Sequence, residues 1–386
     1  MLQRWLALLS CLAQLWLLTE ACPTSASREE VPPARCHYGT LPGGWIRSKG
    51  RVLLPWHEDN SLNVTFPVWQ PYCSQCQMKP LLAPYLVAAD PMQAEDLLDL
   101  RQLGVLLFGD SVDFRFLKFF CEFALDQEPK PFTFSDNDWL KLQGICETPK
   151  MTVAKQHISS ASLTGPYWSD ISFSPMIAIP DGLEKFEQMF GRMPDIVSIA
   201  SNFWDMAGIF SAGGMRIPGT ILEQEFLPDD FMRQWVQNFT AILTLIKERV
   251  PEDTLLVYHT LHVPRHTSDP GMWEADGYLA QHVAQLNAAG RHVAQSLLYH
   301  VVDVEAMAAQ MSQDTVLVDN THPGPDFMMQ VLNMILNVEQ AHREALKASR
   351  EPSKLKGYFR WQREKFSGQA FFNGRKLHEQ LTEAAM

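Results

Sequence analysis

The sequence predicts an α/β fold: a three-layer α/β/α arrangement with a mainly parallel sheet, preceded by a Cys/Pro-rich N-terminal extension. Three observations lead there. Short apolar runs of strand length recur between residues 105 and 318. Each ends in polar turn residues. Stretches with apolar residues at helical spacing separate them, which is the alternation that builds a parallel sheet.

The elements follow in order. Val105-Leu106-Leu107-Phe108, flanked by Gly104, is a continuous apolar run of the kind buried on both sheet faces. Residues 112–125 place Val112, Phe116, Phe119, Phe120 and Phe123 at helical spacing. A second strand occupies 195–201 and a third 254–258, with a further one at 299–304. Helical patterns cover 231–250 and 277–298. Thr315-Val316-Leu317-Val318 reads as the last strand, before a helix carrying Phe327, Met328, Val331, Leu332, Ile335 and Leu336.

The chemistry-bearing residues lie at these strand ends. Gly109-Asp110-Ser111 falls where the first strand turns into a helix. A side chain there is lifted to the carboxyl edge of the sheet, where open α/β folds bind ligands, and faces the positive end of a helix dipole. Gly-Asp-Ser is also ordinary turn and helix-entry chemistry. Far downstream, Asp319-Asn320-Thr321-His322 puts a carboxylate three residues from an imidazole. The spacing lets Asp319 orient His322, which could then deprotonate Ser111; a plain helix cap is the alternative. Asn202 follows the strand at 195–201 and could turn its amide N–H toward the same place, or simply form a turn.

Ser in a GDS turn, Asn after a middle strand and D-x-x-H near the end together resemble the SGNH (GDSL-type) hydrolase superfamily. Within it the chain is most similar to the PC-esterase branch, which includes the plant trichome-birefringence-like polysaccharide O-acetyltransferases. The resemblance covers about residues 100–345. It implies Ser111 as nucleophile, Asp319 and His322 as its partners, and an oxyanion hole from the Ser111 amide, Gly165 and Asn202. The chain departs from the plant branch at Phe114, where that branch carries an arginine; here Arg115 follows. The expected activity is hydrolysis of O-acyl esters on acylated, acetylated carbohydrate or a small ester. Transfer to a sugar hydroxyl by the same triad is the alternative. A non-catalytic glycan-binding protein on the same scaffold, or a secreted lipase, are further readings. No cofactor or metal is expected.

The remaining features bound the setting. The 386 residues carry 32 lysines and arginines against 44 aspartates and glutamates, a net charge of −12 without a basic stripe, which argues against nucleic-acid partners and electrostatic docking on anionic lipid. Arg4 precedes an apolar run over 5–18 and small residues near Ala21, the pattern of a secretory signal over 1–21; an uncleaved anchor is the alternative. Residues 22–95 form a Cys/Pro-rich cap, 96–345 the main domain, and 346–386 a polar tail with interspersed aromatics that suggest packing on the domain. Beyond Cys11 in the signal, Cys22, Cys36, Cys73, Cys76, Cys121 and Cys146 make an even set, read as structural disulfides rather than half a zinc site or a C-x-x-C redox motif, with connectivity unassigned. Asn63 and Asn238 begin N-glycosylation triplets, consistent with a secreted or Golgi-lumen protein. His259, His262 and His266, with Arg265, form a strand-end cluster; it is assigned to a substrate loop, with a plain surface loop or zinc as alternatives. The Gly-rich stretch 208–219 lacks the Lys-Ser/Thr ending of a phosphate loop and reads as a mobile segment near Asn202.

Overall fold

The computed structural model describes residues 36–52, 62–131, 142–158, 160–161, 174–200, 203–206, 226–264, 280–312, 316–319 and 321–350. Thus residues 1–35, the tail beyond 350, the Gly-rich stretch, Cys22, Gly165, Asn202, Arg265 and His266 lie outside the described residues.

In chain order the elements are β1 (Gly43–Val52), β2 (Leu62–Pro71), α1 (Leu82–Val87), α2 (Pro91–Asp96), β3 (Leu103–Gly109), α3 (Ser111–Leu125), β4 (Gly144–Glu147) and β5 (Met151–His157). Then come α4 (Pro175–Phe190), β6 (Ile196–Ala200), α5 (Asp229–Arg249), β7 (Leu255–His259), α6 (Ala280–Ser296), β8 (His300–Val302), α7 (Val304–Ala308) and α8 (Pro325–Arg350). The main sheet runs β4-β5-β3-β6-β7-β8; only the β4–β5 pairing is antiparallel. Helices α3 and α8 cover one face, and α4, α5 and α6 the other. This is the three-layer arrangement that the resemblance to SGNH hydrolases implies.

β3 is buried at every residue because it lies between β5 and β6 with helices above and below, which is why its sequence is continuously apolar. The chain leaves β3 toward β5 on one side and later returns to β6 on the other. The carboxyl end of β3 is therefore the switch point at which doubly wound sheets open a crevice. α5 shows how the outer layer is specified. Trp235, Phe239, Ile242, Leu243 and Ile246 form its buried stripe, with acids in its first turn and bases in its last.

Two features of the main domain differ from the sequence reading. The described part of the 315–318 run, Val316-Leu317-Val318, is not a sheet strand. Val316 donates its N–H to the Ser312 carbonyl, Val318 to His322 and Gly324 to Val316, so the segment closes on itself through a Leu317–Pro323 bridge. Val316 and Leu317 satisfy their apolar character by burial in the core instead. Conversely, β5 (Met-Thr-Val-Ala-Lys-Gln-His) is a fully buried strand that its polar residues concealed.

The N-terminal segment packs on the main domain. β1 and β2 form an antiparallel pair in which Trp45 faces Trp69, their rings edge to face at 5.5 Å. Trp45 Nε1 donates to the Met307 carbonyl at 2.8 Å, and the Trp45 ring packs on Phe327. Asn333 and Asn337, one turn apart on α8, bind the backbone of Lys79 and Leu82. Disulfides join Cys36 to Cys76 and Cys121 to Cys146, and Cys73 is also disulfide-bonded. Among the described residues no helix is long and apolar enough to cross a membrane.

The β3–α3 turn requires Gly109. A Cβ there would meet Asp113 Oδ2 at 1.8 Å and Asp113 Cγ at 2.3 Å, so the whole Asp113 side chain would have to move. Gly109→Ala should therefore lower unfolding stability by about 1–3 kcal/mol, as overpacking of a buried site does, read from urea denaturation. An unchanged midpoint would contradict this close approach.

Candidate active site

Ser111 is the first residue of α3. The preceding residue, Asp110, is its N-cap: its carboxylate accepts from the Val112 N–H at 2.8 Å. That capping bond fixes the turn and sets Ser111 at the helix N-terminus, where backbone N–H groups are left without intrahelical partners.

His322 arrives from the other end of the chain. Asp319 organises its turn by accepting from the Thr321 and His322 N–H groups on Oδ1, at 2.8 and 2.7 Å. The second oxygen, Oδ2, lies 2.8 Å from His322 Nδ1. The two oxygens of one carboxylate thus close the turn and orient the ring; the turn lies ahead of the helix, which begins at Pro325. His322 Nε2 lies 2.8 Å from Ser111 Oγ. Carboxylate, imidazole and hydroxyl therefore stand in series. Burial alone would raise the Asp319 carboxyl, but the His322 and Thr321 N–H groups and the His322 ring outweigh it and hold it below its usual value. Arg115 approaches Asp319 at 3.8 Å, both side chains being substantially solvent-exposed, so this contact contributes little.

Beneath this surface lies a buried polar layer that sequence reading missed. Asp113 is fully buried, and its Oδ1 accepts from His259 Nε2 at 2.8 Å. Lys155 on β5 is also fully buried; its Nζ donates to the Leu142 carbonyl at 2.6 Å and lies 3.3 Å from His157 Nδ1. Burial pulls Lys155 down to about 7 against the opposing pull of Asp113 and Asp110. Burial, reinforced by Asp113, pushes Asp110 up to about 6. Burial and the neighbouring Lys155 keep His157 well below its ordinary value. The available clue was a charged residue two positions after Ser111 on the apolar face of its helix, and a Lys-Gln-His ending to a strand.

His259 and His262 are not on an open loop. They are 2% and 1% exposed, His259 against Asp113 and His262 against the Thr321 carbonyl. His262 Nε2 donates to the Thr321 carbonyl at 2.5 Å, and burial pulls its pKa down to about 4, which leaves the ring neutral. His259 is the last residue of β7 and His262 follows three residues later; both line a pocket with Val112, Phe116, Pro323 and Met328. Asn238, on α5, accepts from Gln234 Nε2 at 2.8 Å, and Asn63 lies within β2.

No protein-family model matches the chain, and no curated protein matches it. Solved structures do. A GDSL-like lipase from Parabacteroides merdae is 13% identical, with 61% of this chain and 95% of that one covered, at a TM-score of 0.38. A carbohydrate acetylesterase family member from Sinorhizobium meliloti is 13% identical over 62% of this chain and 99% of that one, at 0.37. An extracellular lipase from Streptomyces rimosus is 14% identical over 61% and 99%, at 0.32.

The buried lysine has a measurable signature. Its folded pKa of about 7 lies below the ordinary lysine value of 10.5. Between those values the unfolded chain binds the proton more readily, so this residue lowers stability as pH falls through the window, with the loss complete below about 7. Lys155→Met should remove that slope. The rise in urea midpoint between about pH 7 and about pH 9.5 should be smaller in the variant than in the native protein. An equal rise in both would contradict a buried, weakly basic Lys155.

Proposed function

We propose that the chain is a serine-dependent O-acyl esterase of the SGNH type. The observation that carries this reading is the series Asp319 Oδ2, His322 Nδ1, His322 Nε2 and Ser111 Oγ, joined by two 2.8 Å contacts. Ser111 Oγ attacks an ester carbonyl and passes its proton to His322 Nε2, while Asp319 stabilises the imidazolium. Collapse of the tetrahedral intermediate returns that proton to the departing alcohol and leaves an acyl-serine. Water then adds to the acyl carbonyl, giving its proton to His322, and the second collapse releases the carboxylic acid and restores Ser111. The oxyanion is held by the Ser111 N–H at the start of α3, with Gly165 and Asn202 as the further donors implied by the resemblance.

The substrate we propose is an acylated carbohydrate, with acetyl as the acyl group, as the resemblance to the PC-esterase branch implies. A sugar hydroxyl in place of water would make the same acyl-serine an acetyltransfer intermediate. The setting we propose is the secretory pathway, in the Golgi lumen or outside the cell. The Cys36–Cys76 and Cys121–Cys146 bridges suit an oxidising compartment.

Ser111→Ala and His322→Ala should each reduce hydrolysis of a chromogenic acetate ester by about three orders of magnitude or more. A fluorophosphonate should add one adduct to the native protein, located at Ser111 by mass spectrometry. Full turnover in Ser111→Ala together with no labelling of the native protein would exclude the mechanism.

A further inference from the structure

We propose that the strand-end segment 259–262 positions both halves of the site. His259 holds the serine's helix turn through Asp113, and His262 holds the histidine's turn through the Thr321 carbonyl. The inference rests on the proposed triad, and it assigns His259 and His262 as positioning residues rather than ligands of substrate.

The first half is the Asp113–His259 contact of 2.8 Å. Asp113 is two residues beyond Ser111 in the first turn of α3, so fixing its carboxylate fixes the turn that presents the hydroxyl. The contact spans from α3 to β7 because Gly109 leaves room for the Asp113 side chain over β3. The Phe116 ring, one turn further along α3, lies edge to face against His259 at 5.7 Å. The second half is the His262–Thr321 contact. A carbonyl oxygen only accepts, so His262 Nε2 carries the proton. Thr321 directly precedes His322. Phe203 packs edge to face on the His262 ring at 5.4 Å, setting its plane.

The segment from His259 to His262 is held at each position. His259 pairs with Ala200 of β6 and Val302 of β8. The Thr260 N–H donates to the Val302 carbonyl, and its hydroxyl accepts from the Glu305 N–H. Asn287, fully buried on α6, binds both the N–H and the carbonyl of Leu261 at 2.8 Å. A segment fixed in this way transmits position. It sets the distance between two groups that come from opposite ends of the domain. That distance governs proton transfer, and a misplacement of about 1 Å can cost about 100-fold in rate.

The test combines kinetics with labelling. His262→Leu should keep its melting temperature near that of the native protein. It should lower kcat on a chromogenic acetate ester about 10- to 100-fold with KM within about twofold, and slow fluorophosphonate labelling of Ser111 by the same factor. His262→Gln, whose amide N–H can reach the Thr321 carbonyl, should recover most of that loss. His262→Asn, one methylene shorter, should not; this pair carries the test if His262→Leu fails to fold. At the other anchor, Asp113→Leu combined with His259→Leu removes both polar partners together, avoiding a stranded buried carboxylate, and should show the same fall in kcat. Native kcat and labelling rates in folded His262→Leu, or equal rates for the Gln and Asn variants, would overturn the inference. Full turnover in Ser111→Ala would instead sink the triad itself.

Discussion

The contact between His322 Nε2 and Ser111 Oγ joins residues 211 positions apart in sequence. Closing a loop of that length is entropically unfavourable, and one hydrogen bond cannot offset it. The structure divides the task. Ser111 is delivered by the buried strand β3 and the capped start of α3. His322 is delivered by a self-closed turn that Asp319 organises and that α8 then continues. The two arms approach the same sheet edge because α3 and α8 pack side by side on one face. Without that packing the polar groups would each be well formed and far apart.

The polar layer beneath the site runs against the usual economy of a protein interior. Asp110, Asp113, Lys155, His157 and His259 are all nearly or fully inaccessible, and Asp113 Oδ2 has no hydrogen-bond partner among the described residues. Removing charges from water costs several kcal/mol per ion, and an apolar core of the same shape is often as stable or more so. Such a layer gives directional contacts that apolar packing lacks. Its residues come from the carboxyl ends of β5 and β7 and from the start of α3, next to Ser111.

Much of this was legible in the sequence, for physical reasons that can be named. β3 was visible because a strand covered on both faces is continuously apolar, and β6 because only Ser198 interrupts its apolar run. The GDS and D-x-x-H turns were visible because capping and imidazole orientation need those residue types at short spacing. β5 was invisible because Lys155, Gln156 and His157 break its apolar run, and their burial depends on partners remote in sequence. The apolar run at 315–318 read as a strand because local pattern cannot distinguish burial in a sheet from burial under a turn. His259 and His262 read as loop residues because they follow the apolar run 254–258, whereas their neighbours in space are Asp113 and Thr321.

The seam between the N-terminal segment and α8 bears on when the molecule becomes complete during its own synthesis. The backbone around Lys79 is made first, and its partners Asn333 and Asn337 follow more than 250 residues later. Until they emerge, the carbonyl and amide groups of that segment must turn to water. A nascent chain interrupted before the last helix would therefore carry Ser111 at the sheet edge and the His322 turn without the helix whose packing on α3 brings the two together.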